Sequence, residues 1–256
     1  MTTTSTFGPA WFGWQDYKAF SEAVRNTQRF VRSPASEQFL NEVRASCASR
    51  KLTVPKERIF WRARIGCELG RQEEEDYPPK EFPYGRDGMK PIPNWQAEGR
   101  ANPRGIPALY MATTRDTALA EVRPWIGANI SVAQLVTERD LNVIDCSKYH
   151  GPEHLLDTFD HTKSRLDGIW RAIDRGFATP VSKEDEAKDY IPTQVLAELF
   201  KAEGYDGVVF KSLLSADGYN VTLFNLENAK VINNSLFTLH SIEFKFSDTG
   251  TQVFFG

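Results

Sequence analysis

Cysteine is scarce in this chain. Cys47, Cys67 and Cys146 are the three in 256 residues, odd in number and widely spaced. None belongs to a Cys-x-x-Cys pair, which argues against a disulfide framework or a zinc site and fits a reducing compartment. Long hydrophobic runs are missing as well. No apolar stretch approaches the roughly 20 residues of a membrane span. The segment Met1 to Trp11 has no basic start followed by an apolar core of the secretory kind. The expectation is a cytoplasmic chain that does not engage a membrane. Positive charge is not in excess: 31 Lys and Arg stand against 34 Asp and Glu, a formal net charge of -3. That excludes a general nucleic-acid binder, which needs a basic balance or stripe. Of the four histidines, His150 and His154 are four apart, but Gly151 and Pro152 separate them and no His-Glu-x-x-His occurs. No metal is expected. Walker loops, the dinucleotide Gly-x-Gly-x-x-Gly and the hydrolase elbow Gly-x-Ser-x-Gly are all absent.

What remains is an ordinary composition, 41% hydrophobic and 25% charged, on a chain long enough for one sizeable core with a small accessory layer. Tyr17, Phe20, Val24 and Val31 have helical spacing over 16–32, and Phe39, Leu40, Val43 and Cys47 over 36–50. The Ser33-Pro34 break joins them into a helical hairpin, taken as an N-terminal extension over 1–54 that packs against a main domain over 55–256. In that domain, 58–65 reads as a strand. An acidic run (Glu73, Glu74, Glu75, Asp76) and Pro78, Pro79, Pro83, Pro91 and Pro93 make 70–98 a long loop. Such an insertion is either solvated or functional, as a lid or binding loop. Strands are predicted at 107–112, 130–136, 141–146, 206–211, 220–225 and 236–246, the last because Ile242, Phe244 and Phe246 alternate with polar residues. Helices are predicted at 114–123, 152–160, 164–175 and 191–203. Without regular βαβ alternation the fold class is α+β.

The chemistry concentrates between Gly99 and Trp125. Gly99 and Gly105 allow close backbone approach, and Arg100 and Arg104 offer planar donor forks for phosphate, although loop arginines are often only solvated. A helix follows, with Thr113 or Thr114 as N-cap and Ala118, Leu119 and Val122 as its buried stripe. Glu121 lies in the last turn, before Pro124. A carboxylate at that end opposes the helix dipole, so it is badly placed for stability, which hints at a role other than stability; the plain alternative is a partly exposed flank residue. Tyr110 sits on the preceding strand, as a core aromatic or a site residue. Arg62 is the charge in the apolar run Ile59-Phe60-Trp61 and needs an acidic partner or an anionic ligand if buried. Ser212 closes the apolar strand after Gly204, itself a helix C-cap. It is either a strand-end serine bonding backbone or part of a site.

Arg62, Glu121 and Ser212, in this order and context, resemble the RES domain family, named for an arginine, a glutamate and a serine. The matching pieces are Phe-Trp-Arg, Gly-Arg-x-Asn-Pro-x-Gly-Ile-Pro-x-Leu-Tyr-x-Ala, Thr-Ala-Leu-Ala-Glu-Val, Thr-Gln-x-Leu-Ala and Tyr-Asp-Gly-Val-Val-Phe-x-Ser followed by Asn, spread over about 58–225. The resemblance implies a fold like that of diphtheria-toxin-type ADP-ribosyltransferases, a split and mostly antiparallel sheet clasping NAD. It implies a bacterial toxin that degrades NAD by hydrolysis or phosphorolysis, with NAD as substrate, inorganic phosphate as a possible co-substrate, no prosthetic group, and a helix-turn-helix antitoxin as partner. Arg62, Tyr110, Glu121 and Ser212 would line the NAD site, with Arg100 a further candidate. Transfer of ADP-ribose to a protein is the alternative activity, and a catalytically silent module binding a nucleotide or a partner the alternative class. The N-terminal hairpin, the 70–98 insertion and a C-terminal strand extension set this chain apart from a compact member, and the insertion is placed to cover the site entrance.

Overall fold

The structure, a computed structural model, describes residues 10–70, 79–91, 98–150, 164–179, 187–215, 217–243, 246 and 250. The N-terminal hairpin forms with shifted ends. α1 (Ala10–Asn26) starts before and stops short of 16–32, because the chain turns at Thr27 and Gln28, whose amides both bond to the Ala23 carbonyl. Val31 lies beyond the turn and is 83% exposed instead of packing. α2 (Pro34–Ser46) has Ser33 as N-cap and proline in its first turn. Residues 47–50 tighten into a 3₁₀ turn. Phe20, Val24, Phe39, Leu40, Val43 and Cys47 share one core with α4 (Arg165–Ala178) and α5 (Ile191–Ala202).

Local signals place the later helices. Ser164 and Asp167 form a reciprocal capping box at the start of α4. α5 ends where Gly204 adopts φ +83. Its amide bonds to Lys201, and that of Tyr205 bonds to Phe200, the two bonds of a Schellman cap. The helix predicted at 152–160 lies outside the described residues.

Eight strands form one sheet in the order β1-β7-β8-β9-β5-β2-β6-β10. They are β1 (Lys51–Val54), β2 (Ile59–Ile65), β5 (Leu109–Ala112), β6 (Asn129–Thr137), β7 (Leu141–Cys146), β8 (Gly207–Lys211), β9 (Tyr219–Leu223) and β10 (Ala229–Thr238). Every pairing is antiparallel except β7 with β8, whose connection contains α4 and α5 as a parallel crossover requires. The α+β class expected from the sequence is what the chain adopts.

Two features show that the sheet is split and folded over. β2 and β5 share a single register pair, Trp61 with Ala112, so the strands diverge immediately on either side. β6 and β7 are joined only by residues 138–140, yet belong to opposite ends of the strand order. A connection that short forces the two halves to face each other. Phe60, Leu109, Met111, Leu135, Val143, Val209, Val221 and Val231 fill the space between them. The helical core covers the far side of the larger half.

Two readings of the sequence need correction. The strand predicted at 236–246 lies mainly upstream of that window, at 229–238. A bulge between Val231 and Asn233 shifts its register against β6, which breaks the period-two signal there. Among the described residues further on, 239–243 and 246 are not in a strand and Ile242 and Phe246 are exposed; 244 and 245 lie outside the described residues. The insertion is also not wholly a loop. β3 (Glu68–Leu69) pairs with β4 (Glu81–Phe82), and Met89 is fully buried against the inner core.

Candidate active site

The cavity opens where β2 and β5 part. It has a volume of about 400 Å³, within the range of small-molecule sites. Arg62, Tyr110, Glu121 and Arg100 all line it, alongside Trp61, Arg64, Lys90, Glu98 and Asn220.

Side chains alternate along β2, so Phe60, Arg62 and Arg64 point inward while Trp61 and Ala63 pack toward α3 (Arg115–Glu121). Arg62 reaches across the split, and its Nη1 donates to the Tyr110 carbonyl at 2.7 Å. That carbonyl would have been a ladder acceptor had β2 and β5 continued to pair. The Arg62 Nε is buried without a partner. No ion pair to Arg62 occurs among the described residues. Burial, reinforced by the neighbouring Arg64 charge, lowers its pKa to about 10. The guanidinium therefore stays charged at neutral pH without a carboxylate beside it.

Glu121 ends α3, which is capped by Thr114 rather than Thr113. Leu119 and Val122 are only half-buried, and Ala118 with Thr117 carries the buried face. Glu121 is exposed toward the cavity but held firmly. Its Oε1 accepts from Ser212 Oγ at 2.6 Å and from Asn220 Nδ2 at 2.7 Å. Two donors fill the two lone pairs of Oε1 and leave Oε2 without a share in them. Ser212 thus serves Glu121. Its hydroxyl also accepts from the Leu214 amide at 3.2 Å, as a strand-end serine bonding backbone does, and Ser212 touches the cavity through Glu121 without lining it. Asn220, on β9, was not singled out from the sequence, although it is the residue that follows the serine piece.

Tyr110 is locked. Its hydroxyl donates to Asn102 Oδ1 at 2.7 Å and accepts from the Ala101 amide at 3.0 Å, and burial pushes its pKa up. Gly99 is required by this contact, since a Cβ there would come within 2.5 Å of the tyrosine oxygen. Arg100 lines the cavity and is anchored from the helical side. Its Nη1 donates to Phe177 O at 2.8 Å, at the carbonyl-rich end of α4, where a cation is favoured. Burial depresses its pKa. Arg104 is exposed and does not line the cavity.

The Thr-Gln-x-Leu-Ala piece explains itself structurally. Gln194 on α5 donates through Nε2 to Gly99 O at 3.0 Å and Asn102 O at 3.1 Å, clamping the loop that carries Arg100 and supports Tyr110. Gln194→Ala removes two hydrogen bonds and leaves these carbonyls only their mutual backbone bridge, Gly99 N to Asn102 O at 3.0 Å and Asn102 N to Gly99 O at 3.4 Å. The expected cost is about 1–3 kcal/mol of stability, read as a Tm several degrees lower. An unchanged melt would show that the clamp is dispensable. Among the described residues no group of three or more His, Cys, Asp or Glu is placed to hold a metal ion, and no helix is long and apolar enough to cross a membrane.

An arginine across the split, a tethered glutamate and the serine and asparagine that tether it set one buried cation and one directed carboxylate at the same cleft. The RES domain family model matches residues 60–246, and the chain belongs to that family. Among curated proteins no sequence match was found. Among solved structures, the MbcT-MbcA toxin-antitoxin complex of M. tuberculosis is similar at 14% identity and a TM-score of 0.41, covering 77% of this chain and 92% of that one.

Proposed function

We propose that the cavity binds NAD and that the chain cleaves the bond between nicotinamide and ribose, passing ADP-ribose to phosphate or water. The observation that carries this reading is the tethered carboxylate: Glu121 has one oxygen fixed by Ser212 and Asn220 and the other left to a cleft lined by Arg62. The nicotinamide of NAD is cationic and leaves without a strong general acid. The barrier is positive charge developing on the ribose, as in glycoside cleavage, where contacts to the 2-hydroxyl strengthen in the transition state. Oε2 of Glu121 is the acceptor for that hydroxyl and the counter-charge for the oxocarbenium-like carbon. Arg62 faces the pyrophosphate, for which its buried, carboxylate-free guanidinium is suited. Tyr110, too rigidly bonded to act as an acid or base, forms a wall for the nicotinamide ribose. In the cell we assign the chain the role of a toxin acting on cytoplasmic NAD and restrained by a helix-turn-helix antitoxin.

The test is incubation of purified protein with NAD, with and without phosphate. Phosphate-dependent nicotinamide release identifies phosphorolysis, and release without phosphate identifies hydrolysis. Label appearing on a protein identifies ADP-ribose transfer instead. Intact NAD at high enzyme concentration overturns the reading.

A further inference from the structure

Glu121 sits on a helix too short to hold itself. α3 has seven residues, and isolated helices below about 12–15 residues are marginal in water. Its apolar face is small as well, with Thr117 and Ala118 as its buried residues. The place of the carboxylate therefore depends on what grips α3 from outside. At the far end Ser212 and Asn220 bond Glu121 itself. The near end is gripped by the same connection between β8 and β9. Thr117 is fully buried, and its hydroxyl donates to Ser215 Oγ at 3.1 Å. Its one hydrogen goes there, so Thr114 is the donor in the 2.7 Å contact between Thr114 Oγ1 and Thr117 Oγ1. Thr114 Oγ1 in turn accepts from the Thr117 amide at 3.1 Å, as the N-cap of α3. Gly218 lets the connection come this close, since a Cβ there would run into the Thr117 side chain. Tyr219, at the start of β9, ties down the entry to the helix: its amide donates to Thr113 Oγ1 at 3.1 Å and its carbonyl accepts from the Thr113 amide at 2.9 Å.

The connection is itself braced. The Ser212 amide donates to Gly218 O at 3.1 Å, and Lys211 Nζ donates to Gly218 O at 3.2 Å and to Ser215 O at 3.5 Å. The Lys211 ammonium also lies 4.8 Å from the Tyr219 ring centre. Ser212 and Ser215 are thus two points of one closed turn. We infer that this turn is a two-point clamp on α3, and that Thr117 is a positioning residue for Glu121. The Thr117–Ser215 bond fixes the helix, while Ser212 and Asn220 fix the carboxylate on it. Thr117 and Glu121 are four residues apart, so they stand one turn from each other on the face that meets the clamp. The Thr-Ala-Leu-Ala-Glu-Val piece is thereby a mechanical unit, with a gripped threonine at one end and the acting carboxylate at the other. The inference rests on Glu121 acting on NAD as proposed above.

Thr117→Val, which keeps the shape and removes the hydroxyl, is compared with Thr117→Ser, which keeps the hydroxyl. Steady-state kinetics with NAD and hydrogen exchange of the α3 amides are read on both. In Thr117→Val, exchange across 115–122 is expected to speed up several-fold. Its kcat is expected to fall about tenfold with KM within about twofold of wild type, because the slackened group acts in the transition state while the contacts that bind NAD stay in place. Thr117→Ser is expected to restore both readings. Ser215→Ala removes the same bond from the half-exposed side and should reproduce the kinetics of Thr117→Val, so it decides the matter if the buried substitution does not fold. Wild-type α3 exchange in Thr117→Val and Ser215→Ala overturns the clamp. Faster exchange beside wild-type kcat overturns the positioning role, as does a loss shared equally by Thr117→Ser and Thr117→Val. If the wild-type protein leaves NAD intact, the cleavage reading fails by itself, and exchange in α3 still decides the clamp.

Discussion

Glu121→Gln is expected to lower nicotinamide release from NAD by about 100–1000-fold, the usual cost of losing one directed transition-state contact. The substitution is chosen for what it preserves. The amide oxygen can still accept from Ser212 and Asn220, so the side chain stays where the wild-type carboxylate lies. What changes is the atom facing the cavity, an acceptor with negative charge replaced by a neutral donor. Because the contact strengthens only as the ribose becomes cationic, kcat and kcat/KM should fall together with KM nearly unchanged. The melt should stay close to wild type, since the carboxylate opposes the dipole of α3 and contributes little to its stability. Ser212→Ala should be milder, because Asn220 still holds Oε1. A Glu121→Gln enzyme within tenfold of wild type would falsify the role given to this carboxylate.

The sequence announced some of this site and was silent on the rest, and the difference has a physical basis. Glu121 could be singled out because a carboxylate in a last helical turn violates a local rule, and Arg62 because a charge in an apolar strand violates another. Such violations are visible within a few residues. Asn220 and Gln194 break no local rule. Asn220 matters because β9 lies beside β5 and meets α3 across 99 positions of sequence, and Gln194 because α5 docks on the 99–102 loop. Conversely Arg100 and Arg104 stood out by type alone, and the fold spends the first on the end of α4 and turns the second to solvent. The core helices and most strands were legible from period and caps. The fold-over of the sheet was not, since it depends on which strands pair, and a bulge at Val231–Asn233 hid the end strand.

The largest expected change in stability lies away from the cavity, at Arg50 and Asp174. Both are almost fully buried, Asp174 with no exposure at all, and Arg50 Nη1 lies 3.5 Å from Asp174 Oδ2. The Arg50 guanidinium is sandwiched 4.7 Å from the rings of Tyr149 and Trp170 and donates to Asp145 O at 3.3 Å. It thereby ties the 3₁₀ turn before β1 to α4. Asp174→Ala leaves that cation buried without its counter-charge. Breaking such a pair typically costs about 3–5 kcal/mol, which for a chain of this size means a Tm lower by on the order of 10 °C at pH 8. The pair also sets a pH dependence of unusual sign. Burial outweighs Arg50 and pushes the Asp174 pKa up to about 7, with nearby Asp145 reinforcing the rise and the Tyr149 amide opposing it. In the unfolded chain the same carboxyl ionises near pH 4. Between these values the native state holds a proton that the unfolded state has released, so stability falls as pH rises through the window and levels off above it. Between pH 5 and 7 the wild type should lose on the order of 2 kcal/mol relative to Asp174→Asn, which cannot titrate there. Urea midpoints of the two proteins across that range provide the measurement. Parallel curves would mean that Asp174 is ionised throughout and that Arg50 holds it so.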